Sequence, residues 1–307
     1  MTAATLRHDA LLYDSDASFV SALAPFVCEG VDAGEGVMVV TARPRIEALR
    51  DELGRDADDV SFVPAADWYV HPVTTIAAWA DALRSLRERG HPVTRVVGEV
   101  QFGDTEEARH SWVRYESALN AVFADSDTWI VCPYDARVLG TDLLEAAART
   151  HPAVWHGRDR RPSADYVEPG RLLRDVPEPW PAPPGPPVLR AEFTDGLVSL
   201  RHDVRAAVGR ALPPDRLEDA LVVLTELVTN ALRHGAPPAL VTVWARPGEV
   251  VAEVADHGVA GLDPLAGYHP PPPGSSNGMG LWVARHLSDR LAVRSGAGTV
   301  VRVAVHG

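Results

Sequence analysis

The sequence predicts two domains: an N-terminal α/β sandwich with a mostly parallel sheet, and a C-terminal α+β domain with helices on one face of a mixed sheet. Three observations lead there. Short apolar runs alternate with helically spaced segments through the first half, as expected for parallel strands joined by crossover helices. The second half places two helices ahead of a group of strands, the α+β pattern. Between them the composition changes sharply, with nine prolines from Pro162 to Pro187.

In the first half, Ser18 to Ala33 spaces Phe19, Leu23, Phe26 and Val27 at helical intervals. Gly36 to Thr41 follows as a short apolar run and predicts a buried strand. Val60–Val63, Thr94–Glu99 and Thr128–Cys132 predict further buried strands, with helices over Thr75–Arg89, Ala108–Phe123 and Gly140–Arg149. Proline fixes φ and lacks a backbone donor, so residues 170–187 cannot run as a helix or central strand. A semi-rigid extended linker is expected there, separating domains at 1–169 and 188–307; the alternative is an irregular segment packed on one domain. In the second half, Val188–Phe193 predicts a strand and Leu197–Ala211 and Pro214–His234 two helices. Strands are expected at Ala239–Ala245, Val250–Asp256, Leu291–Arg294 and Thr299–Val305, with a helix over Gly280–Asp289.

Composition narrows the function classes. No run of about 18 apolar residues occurs, so no membrane span is expected. Met1 to Ala10 lacks the apolar stretch of a signal peptide. With only Cys28 and Cys132 as cysteines, a reduced, cytoplasmic protein is expected. The formal charge of -13 argues against a general nucleic-acid surface and is compatible with a basic protein partner. No helix-turn-helix is recognisable, which disfavours a ligand-sensing transcription regulator.

Three segments of the second half carry chemistry. On the Pro214–His234 helix, Glu226, Asn230 and His234 are spaced i, i+4 and i+8 and share one side. A carboxamide oxygen there can ligate Mg²⁺. A carboxylate can orient or deprotonate an attacking hydroxyl. Taken alone, the spacing also fits a solvated helix face. Next, an apolar strand ends in Asp256-His257-Gly258, where the carboxylate can accept from an adenine amino group and glycine lets the backbone turn. Last, Asn277-Gly278-Met279-Gly280-Leu281 opens an apolar helix, whose first N–H groups can hold phosphate oxygens. The preceding stretch, Leu262 to Ser276, is rich in proline and glycine and reads as a mobile lid or a surface loop.

Together these segments resemble the N, G1 and G2 boxes of the GHKL ATPase superfamily, the Bergerat-type ATP-binding fold of gyrase, heat-shock chaperone, histidine kinase and mismatch-repair ATPases. Gly298-Thr299 resembles the terminal box. The compact form is most similar to the anti-sigma-factor serine/threonine kinases. The resemblance implies ATP and Mg²⁺ as cofactors, Glu226 as catalytic base, Asn230 as the Mg²⁺ ligand and Asp256 as the adenine reader. It further implies nucleotide contacts from His234, Gly258, Gly278, Gly280, Leu281 and Thr299. The implied activity is phosphorylation of a serine on a STAS-type anti-sigma antagonist, or sequestration of a sigma factor. The alternatives are an ATP-gated partner-binding module without catalysis, and a histidine-kinase-like protein lacking its own phospho-acceptor domain. The G1 box usually reads Asp-x-Gly-x-Gly, whereas here Ala260 follows Val259 and Gly261 comes one later. That departure favours ATP binding over catalysis. His202, 24 residues before Glu226, falls on the first helix of the ATP domain itself, so histidine autophosphorylation is not expected.

The first half resembles the MEDS sensory domain, named for methanogens, methylotrophs and a dichloromethane-responsive regulator. The matching stretches are His8–Tyr13, Ala66–Tyr69, Val97–Glu99, Trp112–Glu116, Asn120 and Cys132–Asp135. Phe26 to Thr41 also looks like the opening of a RecA-like fold, but no Gly-x-x-x-x-Gly-Lys-Ser/Thr follows, so no P-loop ATP site is expected. The resemblance implies a small hydrocarbon-type ligand and is compatible with a homodimer. His8, Glu99, Glu116 and Cys132 are polar residues beside apolar runs. They are candidates for the sensory pocket, at the strand ends where open α/β sheets place ligands. Their types also suit a metal, and satisfied core polar groups are the plain alternative.

Overall fold

The computed structural model describes residues 5–194, 197–258, 262–269 and 278–307. The chain divides into two compact units, Met1–Val176 and Pro177–Gly307.

The first unit runs β1 (Arg7–Tyr13), α1 (Asp16–Asp32), β2 (Gly36–Thr41), α2 (Arg43–Leu53), β3 (Val60–Pro64), α3 (Ala65–Trp68), α4 (Pro72–Glu88), β4 (Thr94–Gly98), α5 (Glu106–Val122), β5 (Thr128–Asp135), α6 (Thr141–Thr150), β6 (Ala153–His156), β7 (Asp159–Pro162) and α7 (Pro169–Asp175). Its sheet has the order β3-β2-β4-β5-β1-β6-β7, parallel except for the β6–β7 edge hairpin. Because side chains alternate across a strand, one face sends Leu11, Tyr13, Val37, Val39, Val97 and Val131 into a core with Phe19, Leu23 and Val27 of α1. His8 and Cys132 have the opposite parity and leave the sheet on the other side. Buried Asp9 shares the α1-side parity and is fully partnered: Trp129 and Trp155 donate ring N–H groups at 2.9 and 3.0 Å, and Arg160 binds it through two nitrogens.

The strands and helices expected in this half are present, and others join them. α2 escapes a hydrophobic pattern because only Leu49 and Leu53 of its eleven residues are buried. The β7 edge strand is exposed at every position. β5 continues through Pro133 to Asp135, beyond the expected end at Cys132. By then the β4–β5 ladder has ended at Val97–Val131, and β5 runs on beside β1 alone, with Pro133 opposite Leu11.

The second unit runs β8 (Leu189–Phe193), α8 (Leu197–Val208), α9 (Pro214–His234), β9 (Ala239–Arg246), β10 (Glu249–Asp256), α10 (Met279–Leu287), β11 (Arg290–Ser295) and β12 (Thr299–His306). The sheet order is β11-β12-β10-β9-β8. Every pair is antiparallel, which corrects the mixed sheet expected from sequence. The β9–β10 and β11–β12 connections are tight hairpins, and hairpins impose antiparallel pairing. One sheet face packs Val241, Val243, Ala252, Val254 and Val303 against Leu217, Leu221, Leu224 and Val228 of α9.

The proline-rich segment also departs from expectation. Residues 169–175 form α7, with Leu172 and Leu173 buried in the first unit. From Pro177 onward the chain packs on the second unit rather than standing as an extended spacer over 170–187. Trp180 is held by the guanidinium groups of Arg294 and Arg302, 4.0 and 4.6 Å from its ring, and Arg302 also lies over Trp244 on the face away from the helices. Arg302 donates to the Pro181 carbonyl. Glu178 accepts from Arg285 of α10 and from the Val293 amide, both at 2.6 Å. Prolines suit this role because a strap across a sheet face joins no ladder and needs no amide donors.

Glu178 and Arg285 are nearly fully buried. Removing one partner strands the other charge, so Glu178→Ala should destabilise the second unit by about 3 to 5 kcal/mol in urea unfolding. Adding Arg285→Met should recover much of that loss. An undiminished loss in the double variant would place the effect elsewhere.

Candidate functional site

In the second unit the site grows from the pairing of two helices. α9 begins with Pro214 in its first turn and buries Leu217, Leu221, Leu224, Leu227, Val228 and Ala231. That leaves Glu226 and Asn230 half-buried on an adjoining side, with His234 exposed in the last turn. α10 packs on α9, and Gly280 of α10 sits against the two polar side chains. A Cβ at Gly280 would stand 2.8 Å from both Glu226 Oε2 and Asn230 Nδ2, closer than Cβ atoms approach anything. Gly278 caps α10 with φ 79°, a left-handed conformation that suits glycine. The first N–H groups of α10 therefore open beside a carboxylate and a carboxamide. Leu281 contributes a buried core side chain, so only its backbone is offered to a ligand.

A second cluster forms at the end of β10. Asp256 lies opposite Thr299 in the β10–β12 ladder. Its Oδ1 accepts from the Gly258 amide at 2.7 Å, folding the chain into a tight turn. Glycines crowd it: a Cβ at Gly235 would lie 2.3 Å from Asp256 Cγ, and one at Gly298 would lie 2.1 Å from the Asp256 carbonyl. Gly235 was not singled out from sequence, although its place directly after the Glu226–His234 helix was a usable signal. Val259, Ala260 and Gly261, which carry the G1 departure, and Asn277 lie outside the described residues, as do residues 270–276 of the loop. In the described part of that loop, Arg285 donates to the Ala266 carbonyl at 3.0 Å and covers the Tyr268 ring at 4.7 Å. His202 lies exposed on α8.

In the first unit, His8 (β1), Glu116 (α5) and Cys132 (β5) come together, and His151 at the end of α6 joins them; all four are buried. His8 Nε2 lies 3.2 Å from Glu116 Oε2 and 3.3 Å from Cys132 Sγ. Cys132 Sγ lies 3.5 Å from the same carboxylate oxygen. His151 Nε2 lies 3.4 Å from it but off the hydrogen-bond direction, so that nitrogen and Glu116 Oε1 have no hydrogen-bond partner. Burial raises the Glu116 pKa; His151 and His8, wherever they turn an N–H or positive charge toward it, outweigh burial and hold the carboxyl down at about 2. Burial, with His151 beside it, lowers the His8 pKa, and burial pushes the Cys132 thiol well up. Aromatic rings close round the cluster, with Tyr134 edge-on to His151 at 5.7 Å. His151 was missed because the expected helix stopped at Arg149 and the strand after it was not foreseen. β6 pairs with β1 with Ala153 opposite Asp9, which brings His151 against His8 at 4.1 Å between ring centres.

Glu99 does not belong to this cluster, which corrects the four-residue pocket expected from sequence. It shares parity with Val97 and leaves the sheet on the α1 side. There it accepts from Tyr13 Oη at 2.6 Å, from Arg45 at 2.9 Å and from Thr41 Oγ1. Arg45 continues to Asp135 at 2.7 Å. The hydrogen bond from Arg137, followed by that residue's amide and charge, holds Asp135 below the usual carboxylate range against burial. The crevice at the strand carboxyl ends is thus occupied on this side by the chain's own arginines.

Each unit matches a known family. Residues 7–152 match the MEthanogen/methylotroph, DcmR Sensory domain (MEDS), and residues 192–305 match the Histidine kinase-like ATPase domain. Among curated proteins, none matches the chain. A mostly parallel sheet in one unit, a helix-backed antiparallel sheet in the other, and a family match on each lead to one assignment: the chain joins a MEDS domain at residues 7–152 to a GHKL-type ATPase domain at residues 192–305.

Proposed function

We propose that the protein is an ATP-dependent regulator whose second unit acts on a protein partner, as a serine/threonine kinase of an anti-sigma antagonist or as a binder of a sigma factor. The observation that supports this best is the contact of Gly280 with Glu226 and Asn230, which sets a helix N-terminus beside a carboxylate and an amide oxygen. That donor set fits Mg-ATP. A hard cation takes oxygen ligands such as Asn230 Oδ1, and phosphate oxygens take the free amides of α10 after Gly278. Asp256, with Gly235, Gly258 and Thr299 around it, fits the adenine end, where a carboxylate accepts from an exocyclic amine. His234 is exposed at the end of α9.

When bound, Mg-ATP supplies the transferable phosphoryl group. Glu226 orients a serine hydroxyl of the partner and accepts its proton. Asn230 fixes the position of the metal charge, and the α10 amides hold the phosphates. His202 sits on α8, a helix of the ATPase unit whose Leu200 and Val204 pack in its core, so the reading favours transfer to a separate protein over histidine autophosphorylation. The strap contact of Glu178 with Arg285, which also holds Ala266 and Tyr268 of the loop before α10, offers a route from the segment after Val176 to the nucleotide site. No described helix is long and apolar enough to cross a membrane.

A non-catalytic, ATP-gated binding module is the second reading, favoured by the Ala260 departure in the G1 box. The Gly280→Ala variant should lose nucleotide affinity by at least about tenfold in calorimetry while its circular dichroism is unchanged. With a cognate STAS-type partner and γ-labelled ATP, Glu226→Ala should reduce label transfer by about 10²-fold or more and leave ATP binding intact. Unchanged transfer would remove Glu226 from catalysis; absent transfer in the parent, with ATP-dependent partner binding retained, would select the module.

A further inference from the structure

We propose that His8, Glu116, Cys132 and His151 form a tetrahedral site for one divalent transition-metal ion of the zinc class, buried inside the sensory unit. The inference is independent of the ATP reading.

Spacing supports it first. The neighbouring ligand atoms lie 3.2, 3.3, 3.4 and 3.5 Å apart, and all four fall within 4.8 Å of one another. A tetrahedron with bonds of about 2.0 to 2.3 Å has edges of roughly 3.3 to 3.8 Å, so the side chains need only small adjustments to share one ion.

Imidazole orientation supports it independently. Asn120 Nδ2 donates to the Thr150 carbonyl at 2.8 Å, which turns Asn120 Oδ1 toward His8 Nδ1 at 3.2 Å. His8 therefore carries its proton on Nδ1. Thr150 Oγ1 spends its proton on the Ala146 carbonyl, and His151 Nδ1 faces the Ala147 carbonyl at 2.9 Å, so His151 is protonated on Nδ1 as well. Both Nε2 lone pairs then face inward, toward a carboxylate and a thiol. In these tautomers the lone pairs confront a negative oxygen within a buried cluster, and His151 Nε2 and Glu116 Oε1 have no hydrogen-bond partner. Outer hydrogen bonds that fix the inner nitrogen for a metal are the usual arrangement around histidine ligands.

Charge closes the case. A divalent ion, the Glu116 carboxylate, a Cys132 thiolate and two neutral imidazoles sum to zero. Binding forms the metal–sulfur bond and releases the thiol proton to solvent, with no change of oxidation state. The mixed nitrogen, sulfur and oxygen set suits zinc, and Co²⁺ can report on it. The ligands come from β1, α5, β5 and the end of α6, so the ion would tie the centre of the sheet to the helices covering its second face.

The test uses the full chain. Elemental analysis of the purified protein should find one zinc-class ion per chain. After unfolding in chelator and refolding with Co²⁺ alone, the protein should show a thiolate-to-cobalt charge-transfer band and the strong visible bands of tetrahedral cobalt. Cys132→Ser should abolish the charge-transfer band. Should that variant fail to fold, Asn120→Ala, which leaves every ligand in place, should weaken cobalt binding by about 10- to 100-fold. Folded protein that retains no ion and gives no cobalt spectrum would overturn the proposal. So would a charge-transfer band that persists in Cys132→Ser, or undiminished affinity in Asn120→Ala.

Discussion

The close approach of α10 to α9 at Gly280 is the constraint on which the second unit's chemistry depends. A side chain of any size there would meet Glu226 and Asn230 at 2.8 Å and push the helices apart. With glycine, the first amides of α10 open directly beside the polar side of α9, while Leu281 and Ala284 fill the core behind them. The same economy of volume recurs at Gly235 and Gly298 around Asp256. Backbone is brought close to a few polar side chains wherever the fold would offer a ligand room, and the apolar faces of the same elements supply the rigidity.

In the first unit strand parity plays the corresponding part. Residues one apart on a strand face opposite layers, so the polar groups sort into separate networks. Asp9, Glu99 and Asp135 lie on the α1 side and are answered by Arg160, Arg45 and Arg137. His8 and Cys132 lie on the other side and meet Glu116 and His151 with no cationic side chain among them. In the first network each carboxylate accepts hydrogen bonds from arginine. In the second, Glu116 Oε1 and His151 Nε2 have no hydrogen-bond partner, and that contrast separates a structural cluster from a candidate binding one.

Much of this was legible in the sequence. Strong apolar runs such as Gly36–Thr41 marked the central strands, and the Pro214–His234 helix was bounded by its own proline and glycine. The residues proposed for the ATP site could be picked out because they fall in three short segments. What escaped depends on tertiary neighbours. Nothing near His151 in sequence announces a partnership with His8, since β6 reaches β1 only through the sheet. Glu99 was misplaced because its face follows from strand phase, which a short run does not specify. The proline-rich segment read as a spacer because composition reports what a chain cannot form and is silent on what it can pack against. Trp180 and Glu178 within it were the residues that decided its place.

The α9–α10 junction is proposed to hold a nucleotide through its phosphates and a metal on Asn230. The most direct measurement is calorimetric titration of the full chain with ATP, in the presence of Mg²⁺ and again with the metal chelated. Saturable binding that weakens sharply without Mg²⁺, and that loses this metal dependence in Asn230→Ala, is the predicted result. No binding at all, or binding indifferent both to Mg²⁺ and to Asn230, would rule out a Mg-nucleotide site at this junction.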